Sequence, residues 1–302
     1  MNYFEFVETI CEQCNFLLNP SVKASIHQTL KNNSTDRIGI LLTDESTNIH
    51  PTIYLEEFYQ QYLDGRDLFD IAHNITTLYS EIRFEESWNT EQILNFEQAK
   101  DKIAIKLIHY EKNRRLLKDI PHLKFLDLAI VFYILLDRTE KGIASILITH
   151  DMIKHWEQSL MKIYCCATEN TSSLLTAELM PMNDVIIELL GENAADHEPD
   201  NDNHMYILSN EQRHFGAACI LYSSVLEDIG KILEDDFYIL PSSIHEVIIL
   251  SEKYVSSQTD LDEMITEINN TQVAEEEILS DHAYYYSRKS KRLLLHKSII
   301  FE

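Results

Sequence analysis

Apolar residues recur at helical spacing between residues 2 and 18, at Phe4, Val7, Ile10, Cys11, Cys14, Leu17 and Leu18, and the run stops at Asn19 and Pro20. Positions three and four apart share a helix face and proline cannot continue the ladder, so the first element is predicted to be an amphipathic helix. The period then changes to two. Val22, Ala24 and Ile26 alternate with polar neighbours, a second β-leaning run covers 37–43, and the polar stretch KNNSTD at 31–36 joins them, which predicts an antiparallel hairpin. Pro51 opens the segment 52–83, interrupted at Asp64-Gly65-Arg66-Asp67 and read as two helices with Asp67 capping the second.

Residues 95–113 begin as a helix at 96–100 and become β-leaning at 103–110. The runs 125–136 and 144–149 flank the turn-rich DRTEKG at 137–142, a second antiparallel hairpin. Helical spacing returns at 150–156, 160–169 and 182–190. The stretch GENAADHEPDNDNH at 191–204 has no large apolar residue and reads as an acidic loop or linker. Strands are predicted beyond it at 205–208 and 217–222, then a helix at 225–233, and strands at 237–240 and 245–250 around Pro241-Ser242-Ser243. A helix at 260–269 and a hairpin of 283–287 with 291–296, turned at Arg288-Lys289-Ser290, close the chain. Helices and strands mix without a strict βαβ rhythm. The predicted class is therefore α+β, with helices packed on mainly antiparallel sheets in two αβ halves. The expected division is 1–190, the loop 191–204, and 205–302, or one continuous domain.

Charge changes this picture because it is unevenly spread. Residues 178–281 hold 24 acidic and 3 basic side chains, whereas the last 21 residues hold 5 basic and 1 acidic. The acidic region repels nucleic-acid backbones and anionic membranes. No direct nucleic-acid binding is expected unless Arg288, Lys289, Arg292, Lys291 and Lys297 of the tail carry it. The acidity has three readings: solubility, mimicry of a phosphate backbone that fills a basic groove, and collection of divalent cations. Asp196, Asp200 and Asp202 suggest the last, but their spacing lacks the glycine and the twelfth-position glutamate of an EF-hand loop. The expected partner is a protein, a basic one being suited to this surface; the oligomeric state is left open.

The longest apolar run, 125–136, is shorter than the ~20 residues that cross a bilayer and is interrupted by Asp127. No membrane association is expected. The amino terminus carries Glu5, Glu8 and Glu12 where a secretory signal carries Lys or Arg, and five cysteines are an odd number, so a cytoplasmic setting with free thiols is expected. Cys11 and Cys14 form a C-x-x-C without a second such motif, and read as two small residues on one helix face, as do Cys165 and Cys166 in helix packing.

Several segments resemble one bacterial family. PTIYL at 51–55, MYIL at 205–208, DFYILPSSIHEVII at 236–249, TQV at 271–273, LSD at 279–281 and YYY at 284–286 are similar to the domain of unknown function 5688 of gut Firmicutes. The resemblance extends over nearly the whole chain. It implies a bacterial cytoplasmic protein forming one full-length unit, and it transfers no catalytic or binding residue.

Known reaction machinery is sparse. The six glycines include neither a dinucleotide nor a P-loop spacing, and G-x-S-x-G is absent. His150 and His155 are five apart, off any metal-ligand spacing. No cofactor and no metal is expected. One cluster stands out: Ser242, Ser243, His245 and Glu246 between two strands, and Asn269, Asn270, Gln272, Asp281 and His282 before the last hairpin. If these segments meet, they bring together a nucleophile, a base and amide donors; otherwise Ser242 and Ser243 form a turn, His245 begins a strand, and Ser280 and Asp281 cap local backbone. Tyr284, Tyr285 and Tyr286 read as strand residues, with the outer two on one face and the middle one on the other, one face buried and one exposed. The leading expectation is a non-enzymatic binding or regulatory protein with an acidic interaction surface. The alternatives are a small-molecule or peptide-processing enzyme using His245 and Asp281, and a nucleic-acid mimic.

Overall fold

The computed structural model describes residues 1–48, 50–83, 87, 89–139, 142–190, 204–241 and 243–295. Two compact units are present, Met1–Thr90 and Glu91–Glu302. Both combine helices with antiparallel sheet, so the α+β class holds.

In the first unit, helix α1 (Tyr3–Leu17) starts at a reciprocal cap: Asn2 Oδ1 accepts from the Glu5 amide and Glu5 Oε2 accepts from the Asn2 amide, each at 3.0 Å. Strands β1 (Val22–Leu30), β2 (Asp36–Asp44) and β3 (Thr52–Tyr54) form an antiparallel sheet in that order. Helices α2 (Glu56–Leu63) and α3 (Leu68–Ile82) follow, and Asp67 caps α3 by accepting from the Phe69 amide at 2.8 Å. Phe6, Val7, Ile10 and Cys14 of α1 pack with Ile71, Ala72 and Ile75 of α3 over Ala24, Ile40 and Leu42 of the sheet. Each of the larger apolar side chains among them contributes roughly 1.5–3 kcal/mol by leaving water. Cys14 is buried and Cys11 half-buried, in keeping with a packing role for the C-x-x-C. Asn15 extends the sheet onto the helix: its amide accepts from the Ala24 N–H and donates to the Ala24 carbonyl, both at 2.9 Å.

The second unit opens with α4 (Glu91–Leu94) and α5 (Phe96–Ala99). Strands β4 (Ile103–His109), β5 (His122–Phe125), β6 (Leu128–Thr139) and β7 (Gly142–Leu147) make one antiparallel sheet centred on β6. One edge of β6 pairs with β4; the other pairs with β5 and then, from Tyr133 onward, with β7, whose pairing is interrupted by a register shift between Leu135 and Asp137. Helices α6 (His150–His155) and α7 (Leu160–Leu174) lead to β8 (Ala177–Pro181), α8 (Met182–Leu190) and β9 (Met205–Asn210). Then come α9 (Val225–Leu233), β10 (Phe237–Leu240), β11 (Val247–Ser251), α10 (Gln258–Thr271), β12 (Tyr284–Ser287) and β13 (Arg292–Leu294). The second sheet runs β13-β12-β10-β11-β9-β8, all antiparallel.

Its central strands are buried on both faces. Phe237, Ile239, Tyr284 and Tyr286 enter the core shared with Ile105, Leu107, Ile130 and Phe132 of the first sheet, while Tyr238, Leu240 and Tyr285 pack against Leu261 and Ile265 of α10. The expected exposure of one tyrosine face is therefore corrected: all three tyrosines are buried, because α10 covers the face a lone sheet leaves to water. Two other expectations change. Residues 217–222 are not a strand: Gly216–Leu221 is a 3-10 helix, entered through Phe215 at φ 56° and packed by Ala217 and Ala218. β11 begins at Val247 and leaves His245 in the preceding bend. The loop expected at 191–204 lies outside the described residues apart from His204. It follows α8 and precedes β9; β8, before α8, and β9 are neighbours in one sheet, Pro181 opposite Tyr206, and the unit boundary falls at Thr90 and Glu91. Among the described residues no helix is long and apolar enough to cross a membrane.

The turn between β5 and β6 is tied to the second sheet by Asp127. One carboxylate oxygen accepts from Ser280 Oγ at 2.6 Å and the other from the Tyr284 hydroxyl at 2.5 Å. Tyr284 is fully buried, and burial, with the Asp127 carboxylate adding to it, holds its hydroxyl well above its ordinary range, as a neutral donor. Asp127→Ala leaves two donors without their acceptor, and urea denaturation at neutral pH is expected to show a loss of about 3 kcal/mol. A loss under about 1 kcal/mol would mean that apolar packing alone joins the two sheets.

Candidate functional site

The end of β9 and the bend before β11 build the most chemically loaded turn of the second unit. Asn210, fully buried, organises it: Oδ1 accepts from the Gln212 and His214 amides at 3.1 and 3.3 Å, and Nδ2 donates to the His214 carbonyl at 2.9 Å. These bonds hold Arg213 at φ 48° and Phe215 at φ 56°, a left-handed backbone that non-glycine residues adopt at a cost and that collects at functional sites. Gly216 is forced by contact rather than by φ. A Cβ there would stand 2.5 Å from the His245 carbonyl oxygen and 2.7 Å from the Asn210 nitrogen, both backbone.

His245 faces this turn. Its Nδ1 accepts from the Phe215 amide at 3.4 Å, which leaves the ring proton on Nε2, 3.6 Å from Glu277 Oε1. Its backbone is pinned as well, the carbonyl accepting from Ser209 Oγ at 2.8 Å and the amide donating to Ser243 Oγ at 3.0 Å. The Phe215 ring lies nearly parallel to the imidazole, and His214 stands 5.0 Å from it, centroid to centroid. Lys106 Nζ sits 4.5 Å over the Phe215 ring. Burial, then the neighbouring charges of His245 and Lys106, push His214 down to about 4, so it is neutral at physiological pH. Glu246 moves the other way: burial raises it, Glu277 adds to the rise, and His245 and Arg213 oppose it. A neutral imidazole, a second imidazole facing a carboxylate, and a carboxyl whose affinity for its proton is raised are a set suited to proton transfer.

A second cluster occupies the face of α10. Asp281 accepts from Asn269 Nδ2 at 2.8 Å and from Lys112 Nζ at 3.2 Å. Burial opposes these bonds, but they prevail and hold its carboxyl below the ordinary range. His282 Nδ1 lies 3.1 Å from Asp262, whose other oxygen accepts from the Ala283 amide at 2.7 Å. A groove of about 550 Å³ runs here, lined among others by Asp262, Glu263, Glu267, Asn270, Asp281 and His282. Thr266 and Thr271 turn their hydroxyls onto their own helix, to the carbonyls of Asp262 and Glu267.

The two sequence segments do meet, through backbone. Ser243 pairs with Ile278, the Ile244 amide donates to the Glu277 carbonyl at 2.9 Å, and the Ser280 amide donates to the Pro241 carbonyl at 2.9 Å. Their side chains then take different partners. His245 and Glu246 join the 210–216 turn, and Ser243 supports His245. Asn270, Asp281 and His282 line the α10 groove, where Asp281 bonds Lys112 and Asn269, while Glu277 stands opposite His245 at the 210–216 turn. Gln272 is exposed and closes α10 through its backbone. Ser242 lies outside the described residues. His214, Phe215 and Glu277 had no motif to announce them; the available signal was the polar run NEQRHFG at 210–216, which ends in a glycine. Burial pushes the Cys219 thiol up to about 12, away from thiolate chemistry. Among the described residues no group of three His, Cys, Asp or Glu side chains is placed to hold a metal.

A family model described as a family of unknown function (DUF5688) matches residues 3–288, and the chain belongs to that family. Comparison with curated proteins and with solved structures gives no match.

In the unfolded chain the His214 imidazole takes up a proton near pH 6.5; in the fold it does so only near 4. Between those values the unfolded state binds more protons, so the contribution of His214 is full above 6.5 and lost as pH falls towards 4. The shift corresponds to at most ~3 kcal/mol, and solvent at the half-buried ring reduces this to about 1–2 kcal/mol. Glu246, raised in the fold, offsets part of the loss at the acidic end. Denaturation midpoints for the wild type should fall across this window, and His214→Gln should flatten the slope; equal slopes would show that the ring is not desolvated.

Proposed function

We propose that the chain is a non-enzymatic binding protein of the bacterial cytoplasm whose second unit captures a basic segment of a partner protein in the groove along α10. The observation that carries this reading is the composition of the groove. Asp262, Glu263, Glu267 and Asp281 line it, and no lysine or arginine is among its lining residues. Helix α10 turns Leu261, Ile265 and Asn269 inward, leaves Glu263 and Glu267 exposed and Asp262 half-buried, and Asp281 joins them from the loop before β12. Two of them have neighbours on the protein, Asp281 the ammonium of Lys112 and Asp262 the imidazole of His282. Glu263 and Glu267 have no ion-pair partner among the described residues and remain available to an incoming lysine or arginine. The surplus of negative charge in 178–281 draws such a segment in from a distance. The free thiols of all five cysteines accord with a reducing compartment.

A second reading, from a different class, is a small-molecule or peptide-processing enzyme. The observation favouring it is the imidazole pair with Glu277 and Glu246, so the acid–base partner of His245 in this reading is Glu277 rather than Asp281. An activity abolished by His245→Gln but untouched by substitutions in the α10 groove would select it over the binding reading.

Affinity for an arginine-rich peptide provides the test. Glu263→Gln with Glu267→Gln is expected to weaken binding by about tenfold, each exposed charge contributing up to ~1 kcal/mol. Wild-type affinity should also fall steeply as salt rises from about 0.05 to about 0.5 M. Binding that ignores both the double substitution and the salt would rule out the groove as the receptor. Duplex DNA that displaces a captured partner in the same assay would point to backbone mimicry.

A further inference from the structure

The basic tail folds back beside the acidic region and builds a positive site against α9. A cavity of about 350 Å³ between α9 and the β12–β13 hairpin is lined by Lys231, Arg288, Lys289, Lys291, Glu227 and Tyr286. Four cations thus meet one carboxylate. Residues 178–281 hold only three basic side chains, and one of those three, Lys231, is placed here. The hairpin turn supplies the others: Lys291 at φ 54° and its amide bond to the Ser287 carbonyl at 2.8 Å close the turn, while the Arg288 amide donates to Asp236 Oδ1 at 2.9 Å.

Two features make this a shaped site rather than loose surface charge. Lys291 is held by Glu227 and Lys231 by Asp228, each at 2.7 Å, so both ammonium groups are positioned at the rim with donors to spare. The stem of Arg288 lies in a notch left by Gly230, in the middle of α9: a Cβ there would stand 3.0 Å from Arg288 Cγ and 3.4 Å from its Cδ. Glycine inside a helix is unfavourable relative to alanine, and here its missing side chain admits the arginine. Neither Arg288 nor Lys289 has an ion-pair partner among the described residues, so a guanidinium whose stem is seated against α9 and a free ammonium remain for a ligand.

We infer that this cavity binds the phosphate groups of a small phosphorylated molecule, with Arg288 as the bidentate donor and Lys289, Lys291 and Lys231 as flanking charges. A planar guanidinium matches phosphate geometry, and the lysines serve as point charges around it. The surroundings select for a compact ligand. Asp228, Asp235 and Asp236 flank the hairpin and α9, and a polyanion long enough to leave the cavity meets their repulsion. A nucleic-acid strand is therefore the poorer fit. The site is separate from the α10 groove and does not depend on that groove having a partner.

Inorganic pyrophosphate is the probe, titrated calorimetrically into the full chain at about 0.05 M salt, where screening is weak. Saturable one-site binding is expected, weakened by about tenfold or more in Arg288→Gln with Lys289→Gln, and unchanged in Glu263→Gln with Glu267→Gln on the α10 groove. Both residues are exposed, and an unchanged melting temperature will show that the double variant folds. If it does not, Lys289→Gln alone, which leaves the Gly230 notch filled, must lower the affinity. Failure of the wild type to saturate, affinity indifferent to these substitutions, or tighter binding of a single-stranded oligonucleotide than of pyrophosphate would each overturn the proposal.

Discussion

The second unit depends on one carboxylate. Asp127 sits in the two-residue turn between β5 and β6, and both of its oxygens are used by the other sheet, one by Ser280 and one by Tyr284. A partly buried carboxylate keeps its place when its lone pairs are satisfied, and here two short hydrogen bonds do this while fixing the position of the loop before β12. Hydrophobic burial brings the sheets together without direction; Asp127 adds register. Everything downstream follows from that placement: the loop at 277–281 lies along 241–244, Glu277 reaches His245, and Asp281 reaches Lys112.

That dependence also explains what the sequence could and could not reveal. Elements whose pattern is local were legible. The α1 face of Phe6, Val7, Ile10 and Cys14, the β1–β2 hairpin, the Asp67 cap and the α10 helix all form where spacing and turn residues place them. Short strands were not. Thr52–Tyr54 and Ala177–Pro181 are too brief to show alternation, and they exist because a neighbour offers a free edge. Gly216–Leu221 misled for a related reason. Ala217, Cys219 and Ile220 resemble a buried strand in composition, but the contacts around Gly216 and the left-handed Phe215 wind the backbone instead. The three consecutive tyrosines carry the same lesson: whether one or both faces of a strand are covered is decided by α10, some twenty residues upstream, and not by the strand itself.

The candidate site was half legible. His245 and Glu246 were noticed as titratable residues between two strands, and the structure gives them a half-buried setting with an ordered shell. Their partners His214 and Glu277 come from sequence positions some thirty residues away on either side, and no spacing rule links them. The acidic bias of 178–281 was plain from counting, whereas its sorting into an acidic groove on α10 and a basic cavity beside α9 is a property of the fold. Net charge describes how a protein is seen from far away; recognition at contact distance is set by where a few uncompensated groups are held.

The pairing of β8 with β9 bears on how this family can vary. The chain leaves the sheet after Pro181 and returns by Met205 as the adjacent strand, so the two ends of the connection are fixed one strand spacing apart whatever lies between them. Closing a longer connection across such fixed ends costs only about 0.6 kcal/mol for each doubling of its length. The β8–β9 pairing is therefore compatible, on entropic grounds, with a longer connection after α8, while α8 itself is anchored by the ion pair of Glu188 with Arg213.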